Sequence, residues 1–325
     1  MPGCFRCRSK KAGPRVFWPC FAEVVNVSRR GKNKQSRSER KRTGCMGRTN
    51  AYSAVFTALF LLGCGGSKSG EPAFKSFSDT PENGTYSLDG RLTSRGVASA
   101  GGNVAMAAVK TDDNVHSIAT ITNQGGDAVA IVIQGGSVRT EISNPPLASG
   151  SFLTFVDGDS AIVVSNPNSF GSSYSLFGTG YADVNSTDGS AFAGSFGAET
   201  PEASVPSTSA TYAGQSAGFF VDASGSAYIT SSDVTISTTD FSTVSVASSN
   251  TRRAALSSST SEAAGELDFT SVATVTGNGF SGAFSGTDVS GELDGNFYGP
   301  AAEEAAGTFN GTGPAGDYLG AFGAN

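Results

Sequence analysis

The chain has 325 residues, 43 of them glycine, with 22 Lys+Arg against 28 Asp+Glu, one histidine and five cysteines. All five cysteines lie at or before position 64, so the later chain has neither a disulfide nor a soft-metal ligand set, and one histidine would have to serve any catalytic triad. The net −6 conceals a split: from Cys64 onward 26 acids face 8 bases, a balance of −18 that repels nucleic acid and anionic lipid and favours a cationic patch on a partner.

Residues 1–45 hold a basic run over 29–42 and a C-x-x-C at Cys4 and Cys7, while Cys20 and Cys45 stand at no zinc spacing. They read as a disordered leader or an over-long start, with translation beginning at Met46. From there the order is that of a signal peptide over 46–63: Arg48 supplies positive charge and 54–62 is an apolar run. Nine residues are too few for a bilayer, which takes about 20 in a helix. The run ends in Leu61-Leu62-Gly63-Cys64, which resembles the bacterial lipobox. That resemblance implies cleavage before Cys64 and acylation of its thiol by diacylglycerol with palmitate-type chains. Gly65 stands where an aspartate would signal inner-membrane retention, so the implied place is the outer membrane, at the cell surface. Residues 64–82 are polar and glycine-rich and read as a flexible tether.

After the tether, short strand-like runs recur between turn signals. The clearest are 105–110, 115–122, 128–134, 137–142, 152–156 and 161–165, separated by Asp-Asp-Asn, Gly-Gly and Asp-Gly clusters that tolerate positive φ. No segment sustains a helical period, so the chain is predicted to be all-β and antiparallel. Two prolines among small polar residues near 198–209 mark a boundary between a first domain, 83–197, and a second, 198–325. In the second, strands are predicted near 210–214, 217–222, 226–230, 241–247, 265–276, 279–286, 289–298, 305–312 and 317–323. These nine fit an eight-stranded barrel if the first two, or a short one, merge, and its last strand would pair with its first, abolishing exposed edges. Residues 248–264 read as a mobile barrel loop.

Chemistry is sparse. His116 lies in a predicted strand with no second imidazole or thiol to share a metal, and the paired aspartates match no EF-hand loop. No G-x-S-x-G, phosphate loop or dinucleotide fingerprint occurs. The reading is therefore non-enzymatic, with no cofactor and no metal site.

The most informative stretch is 289–309, VSGELDGNFYGPAAEEAAGTF. Val289, Gly291, Leu293, Gly295 and Phe297 share one face, and Glu292, Asp294, Asn296 and Tyr298 the other, the period of a half-buried strand. Glycines between large apolar residues suit a narrow barrel in which alternate inward positions must be empty. The strand stops at Gly299-Pro300, and Pro300 suits the first turn of a short helix over 301–306 before a strand resumes at Thr308. Glu303 and Glu304 would then place negative charge in that helix's first turn.

Phe297, Tyr298, Gly299, Pro300, Ala302, Glu304, Gly307 and Phe309 together resemble the penultimate-strand signature of the transferrin-binding protein B β-barrel family of bacterial surface lipoproteins. That family has two glycines where this chain has Ala306-Gly307. Thr200, Pro201, Pro206, Ala210, Thr211, Tyr212 and Gly214 are similar to the family's entry into its barrel, and the chain's ending is similar to its closing strand. The resemblance implies a β handle domain before the barrel, a protein ligand, and hand-over to a TonB-dependent outer-membrane receptor in iron acquisition. It fixes no ligand-contact residue. One other reading stays open, a structural or adhesive coat lipoprotein without a soluble ligand; a third, a small-ligand carrier using the barrel interior, is disfavoured if alternating Gly and Phe fill the lumen.

Overall fold

The computed structural model describes residues 74–108, 110–256 and 260–325. The leader, the signal peptide, Cys64 and the first part of the tether lie outside these residues. What is described is almost entirely antiparallel β, in two sheets.

The first sheet, the handle, holds β1 (Gly84–Ala100), β2 (Asn103–Met106), β3 (Asp112–Gln124), β4 (Asp127–Gly135), β5 (Val138–Ile142), β6 (Leu147–Ser149), β7 (Phe152–Asp157), β8 (Ser160–Ser165), β9 (Ser175–Ala182) and β10 (Gly189–Gly197). Its order is β5-β4-β3-β1-β10-β9-β8-β7-β6, with β2 paired to the far end of β1. One face gathers a core of Leu88, Leu92, Ile121, Ile131, Ile133, Phe155, Ile162, Leu176 and Phe192. The alternation in β5, where Val138, Thr140 and Ile142 are buried and Arg139 and Glu141 exposed, is what a sheet with one wet face requires. A single helical turn, α1 (Pro167–Phe170), links β8 to β9 and is capped by the Asn166 side chain.

The second sheet holds β11 (Ala210–Asp222), β12 (Ala227–Thr238), β13 (Thr243–Ala255), β14 (Ser261–Ala263), β15 (Phe269–Thr276), β16 (Gly279–Gly286), β17 (Ser290–Tyr298), β18 (Glu304–Gly313) and β19 (Gly316–Ala324). It closes on itself: β11 pairs with β19 on one side and with β12 on the other, and β12 pairs with β13. The eight strands other than β14 thus form a barrel with no free edge, and β14 is a short appendage on β13. The two runs expected at 210–214 and 217–222 are one strand. The loop expected over 248–264 is largely strand, because β13 continues to Ala255 and pairs with β12 as far as Tyr228.

Aromatic rings fill the lumen. Phe220, Phe241, Phe269, Phe280, Phe284, Phe297, Phe309 and Phe322 belong to one buried cluster. The interleaved glycines make room for them. Phe280 stands directly opposite Gly295 across the β16–β17 pair, and a Cβ on Gly295 would come within 2.4 Å of the ring. Phe309 and Gly320 repeat the relation across β18 and β19, at 2.3 Å. Each ring covers its neighbour strand's bare backbone, which keeps the barrel narrow and dry.

A third core joins the two sheets. Leu319, Ala321, Ala306, Ala217 and Phe219 on the outside of the barrel pack against Phe177, Val163, Ala191 and Ala193 of the handle. The last strand is therefore buried on both faces, with Tyr318 and Phe322 turned inward and Leu319 and Ala321 turned to the handle.

Candidate binding site and the junction behind it

The expected helix over 301–306 is not formed. Gly299 and Ala302 both take positive φ, +88° and +59°, which closes a tight turn, and β18 begins at Glu304 rather than near Thr308. The reason is where Glu304 must go. Its side chain is 3% exposed and reaches across to the handle, where its two carboxylate oxygens accept N–H bonds from Ser173 (2.5 Å), Tyr174 (3.1 Å) and Ser175 (2.9 Å). The Ser175 hydroxyl adds a fourth bond at 2.6 Å. A helix over the same residues would place that carboxylate elsewhere and leave three N–H groups at the start of β9 without partners, at about 1–3 kcal/mol each if buried. Glu303, by contrast, is exposed and accepts from the Ala301 N–H at 2.8 Å. Neither glutamate acts at a helix N-terminus.

The other signature residues divide between the barrel's end and this junction. Phe297 is fully buried inside the barrel, 4.9 Å from the Phe241 ring and 5.3 Å from that of Phe280. Tyr298, one residue on, faces the handle instead; its hydroxyl bonds Ser195 at 3.1 Å, and burial pushes its phenol well above the ordinary value. Gly299 donates to Ala198 O at 2.8 Å and Thr200 donates to Phe297 O at 2.9 Å, so the linker between the sheets runs beside the end of β17. Pro300 is exposed in the turn. The Ala302 carbonyl accepts the Tyr212 hydroxyl at 2.6 Å, tying the turn to the first barrel strand. Burial raises that phenol to about 12. Gly307 and Phe309 lie in β18, with Gly307 opposite Phe322.

A second, polar seam runs between β1 and β17–β19. Arg95, 3% exposed, pairs with Asp317 at 2.9 Å and donates to the Ala107 carbonyl. Thr93 and Thr308 share a hydrogen bond at 3.1 Å, and Lys110 bridges Asp113 (2.6 Å) and Glu292 (3.0 Å). Beside them burial, with the charge of Asp113, raises the Asp294 carboxyl above the usual range. Arg95 and Thr93 are polar residues in a strand core position, satisfied jointly by handle partners (Ala107, Asp113) and by Asp317 and Thr308 of the barrel.

These contacts leave two exposed ends. The chain enters at one of them, since Phe77 N bonds Ser173 O beside Glu304. At the opposite end stand the turns after β7, β9, β11, β16 and β18. The handle's contribution carries Asp157, Asp159, Asp183 and Asp188, all exposed, and the barrel's carries the half-buried Asp222 and Asp288, with Asp317 there already paired with Arg95. The two sets are joined by a bond from Val104 N to Gly225 O at 2.7 Å. Arg253, near this end, is already held by Glu262 (2.8 Å) and Glu266 (3.0 Å) and lies over the Tyr228 ring. The outcome is an anionic face contributed by both sheets.

His116 is exposed, with Asp89 at 3.6 Å. Among the described residues no three His, Cys, Asp or Glu side chains converge as a metal-ion site.

Residues 205–325 match the family described as the C-lobe and N-lobe beta barrels of Tf-binding protein B. No curated protein sequence matches the chain. Among solved structures, a variant of transferrin binding protein B from Haemophilus parasuis Hp5 is 17% identical with a TM-score of 0.39; the match covers 72% of this chain and 45% of that one. HpuA from Kingella denitrificans, solved in complex with human haemoglobin, is 14% identical with a TM-score of 0.38, over 78% of this chain and 94% of that one. The isotype 1 transferrin binding protein B from serogroup B Neisseria meningitidis is 12% identical with a TM-score of 0.35, over 75% and 77%. With its closed eight-stranded topology and its match over 205–325, the C-terminal part of this chain is a barrel of the transferrin-binding-protein-B-like fold.

Proposed function

We propose that this protein is a non-enzymatic binding module, anchored by lipid at Cys64 to the outer membrane and displayed at the cell surface, that captures a protein partner. The observation that carries this reading is the anionic end face built from Asp157, Asp159, Asp183 and Asp188 of the handle and Asp222 of the barrel, at the end away from chain entry. A lipid tether at the entry end would hold this face outward. The lumen is packed with phenylalanine, so recognition falls to the exterior. A surface of one sign steers a partner carrying the other and makes association sensitive to salt. By likeness to the family of the barrel, the partner is a host or environmental protein of the iron-acquisition kind, delivered to a TonB-dependent receptor.

The test is capture from growth medium by the wild-type protein and by a variant with Asp157, Asp159, Asp183 and Asp188 each changed to Lys. The expected result is a saturable partner that the variant retains at least tenfold less well and that salt weakens. Absence of any saturable partner supports the coat or adhesive reading instead.

A further inference from the structure

The handle contains a cavity that capture of a protein at the anionic face does not use. The edges of its sheet, β5 and β6, are not hydrogen-bonded to each other, and the connection between them passes through Pro145 and Pro146, which have no N–H to give a ladder. The sheet is therefore left unsealed at the end near Phe77. The space there is about 530 Å³, within the roughly 300–1,000 Å³ common for small-molecule sites. Its floor is apolar: Ile121, Leu153, Phe155 and Leu176, all part of or packed against the handle's core. Its rim is amide-rich, with Asn123, Asn166 and Asn168. Asn123 is 8% exposed and is held by the Pro81 carbonyl at 3.0 Å, so its amide is fixed in place. Tyr86 lines the wall beside it, its ring stacked with that of Phe74 at 6.3 Å.

The lining also limits what can enter. Its one charged residue is Asp127, exposed at the rim, and no Lys, Arg or His is present to pair with a carboxylate or phosphate. No His, Cys or Met is there to ligate a haem iron, and burial raises the phenol of the one tyrosine, Tyr86, to about 12, away from the phenolate an iron would take. A cation sunk to the floor would lose its hydration with no carboxylate beside it. We propose that the open mouth of the handle is a binding site for a small uncharged amphiphile, with an aromatic or branched aliphatic body against Phe155 and Leu176 and a hydroxyl or amide end at Asn123. The site is separate from the anionic end face. It moves small-ligand carriage from the barrel, whose lumen is full, to the handle.

The test uses the purified full chain and two fluorescent probes, neutral N-phenyl-1-naphthylamine and anionic 8-anilinonaphthalene-1-sulfonate. The neutral probe is expected to saturate at one per chain and to bind at least tenfold tighter than the anionic one. Ala148→Trp and Val129→Trp, both on the cavity wall, should each weaken it at least tenfold at unchanged melting temperature, while Ala283→Trp on the barrel's outer face should not. Hydrogen exchange on the wild-type protein reads the same site without mutation, through slowed amides within 121–129 and 153–155 at probe saturation. Equal affinity for both probes, undiminished binding in a folded plug variant, or protection confined to the barrel would each overturn the proposal. Partner capture should be unchanged in the plug variants, so either result stands without the other.

Discussion

Glu304 and Ser175 lie 129 residues apart in the chain and meet at 2.6 Å and 2.9 Å, hydroxyl and amide of one to a single carboxylate oxygen of the other. This contact binds the first residue of β18 to the first residue of β9, and so the barrel to the handle. Glu304→Ala leaves the Ser173, Tyr174 and Ser175 amides and the Ser175 hydroxyl without their acceptor, at about 1–3 kcal/mol for each that stays buried, so it should cost about 3–5 kcal/mol, read from the denaturant midpoint. Glu303→Ala, on the exposed side of the same turn, should cost under about 1 kcal/mol. Equal costs would show that the Glu304 carboxylate does not hold the two sheets together.

The same carboxyl gives a pH dependence. Burial is the largest influence on it and raises it above its ordinary 4.5, against the opposing pull of the Ser175 hydroxyl and three N–H groups. The native state then keeps a proton that the unfolded chain has released. Its contribution to stability is fully present below about 4.5 and is lost as pH rises through the native value. Asp112 has the opposite sign. The Ser137 hydroxyl and amide hold its carboxyl below 3.8, so its contribution is present above that value and lost as pH falls through the native one. Carboxyl carbon titration by NMR should place Glu304 above and Asp112 below the free values.

The barrel was more legible in the sequence than the junction, for a physical reason. Gly295 and Phe297 alternate with polar residues because one face is dry and the other partly wet, and that period can be read from one strand alone. β9 and β10, SLFGTGYA and GSAFAGSFG, are buried on both faces, so alternation disappears and neither run stands among the clear strand signals of the first domain. β1 is obscured by Thr93 and Arg95, polar residues whose buried partners, Thr308 and Asp317 on the barrel among them, are far away in sequence. The segment 301–306 looked helical because Ala and Glu favour helices, a local preference that the Glu304 contacts override. The acidic end could not be seen as a face at all, since it joins turns far apart in sequence. Cys64 and its lipid remain an expectation from the lipobox order.

The polar seam should be coupled. Asp317→Ala leaves the Arg95 guanidinium buried without its carboxylate and should cost about 1–3 kcal/mol, the lower part of the range for a buried pair because Asp317 is 27% exposed. Arg95→Met should also destabilise, and the double variant should lose less than the sum of the two. An additive double-mutant cycle would show that the pair does not act across the junction.

Anchoring is tested at one atom. Cys64→Ser removes the thiol that the lipid requires, so the variant should lose acyl labelling and appear in the soluble fraction. Retention on membranes without label would place the anchor elsewhere. Translation begun at Met46 should give the same mature mass as the full gene.

The last prediction sets filling against emptiness in the barrel. Phe297 is fully buried between Phe241 and Phe280, so Phe297→Ala should cost about 3–5 kcal/mol through lost transfer energy and the cavity left behind. Gly295→Ala is the reverse error. Its methyl would fall 2.4 Å from the tip of the Phe280 ring and 2.9 Å from the Ala306 carbonyl oxygen, where the ring can yield but the backbone cannot. That overpacking should cost about 1–3 kcal/mol. Pairing it with Phe280→Leu tests the cause: a shorter side chain opposite Gly295 should recover part of the loss in the denaturant midpoint. If the pair is no better than the sum of its parts, the ring is not what forbids a side chain at position 295.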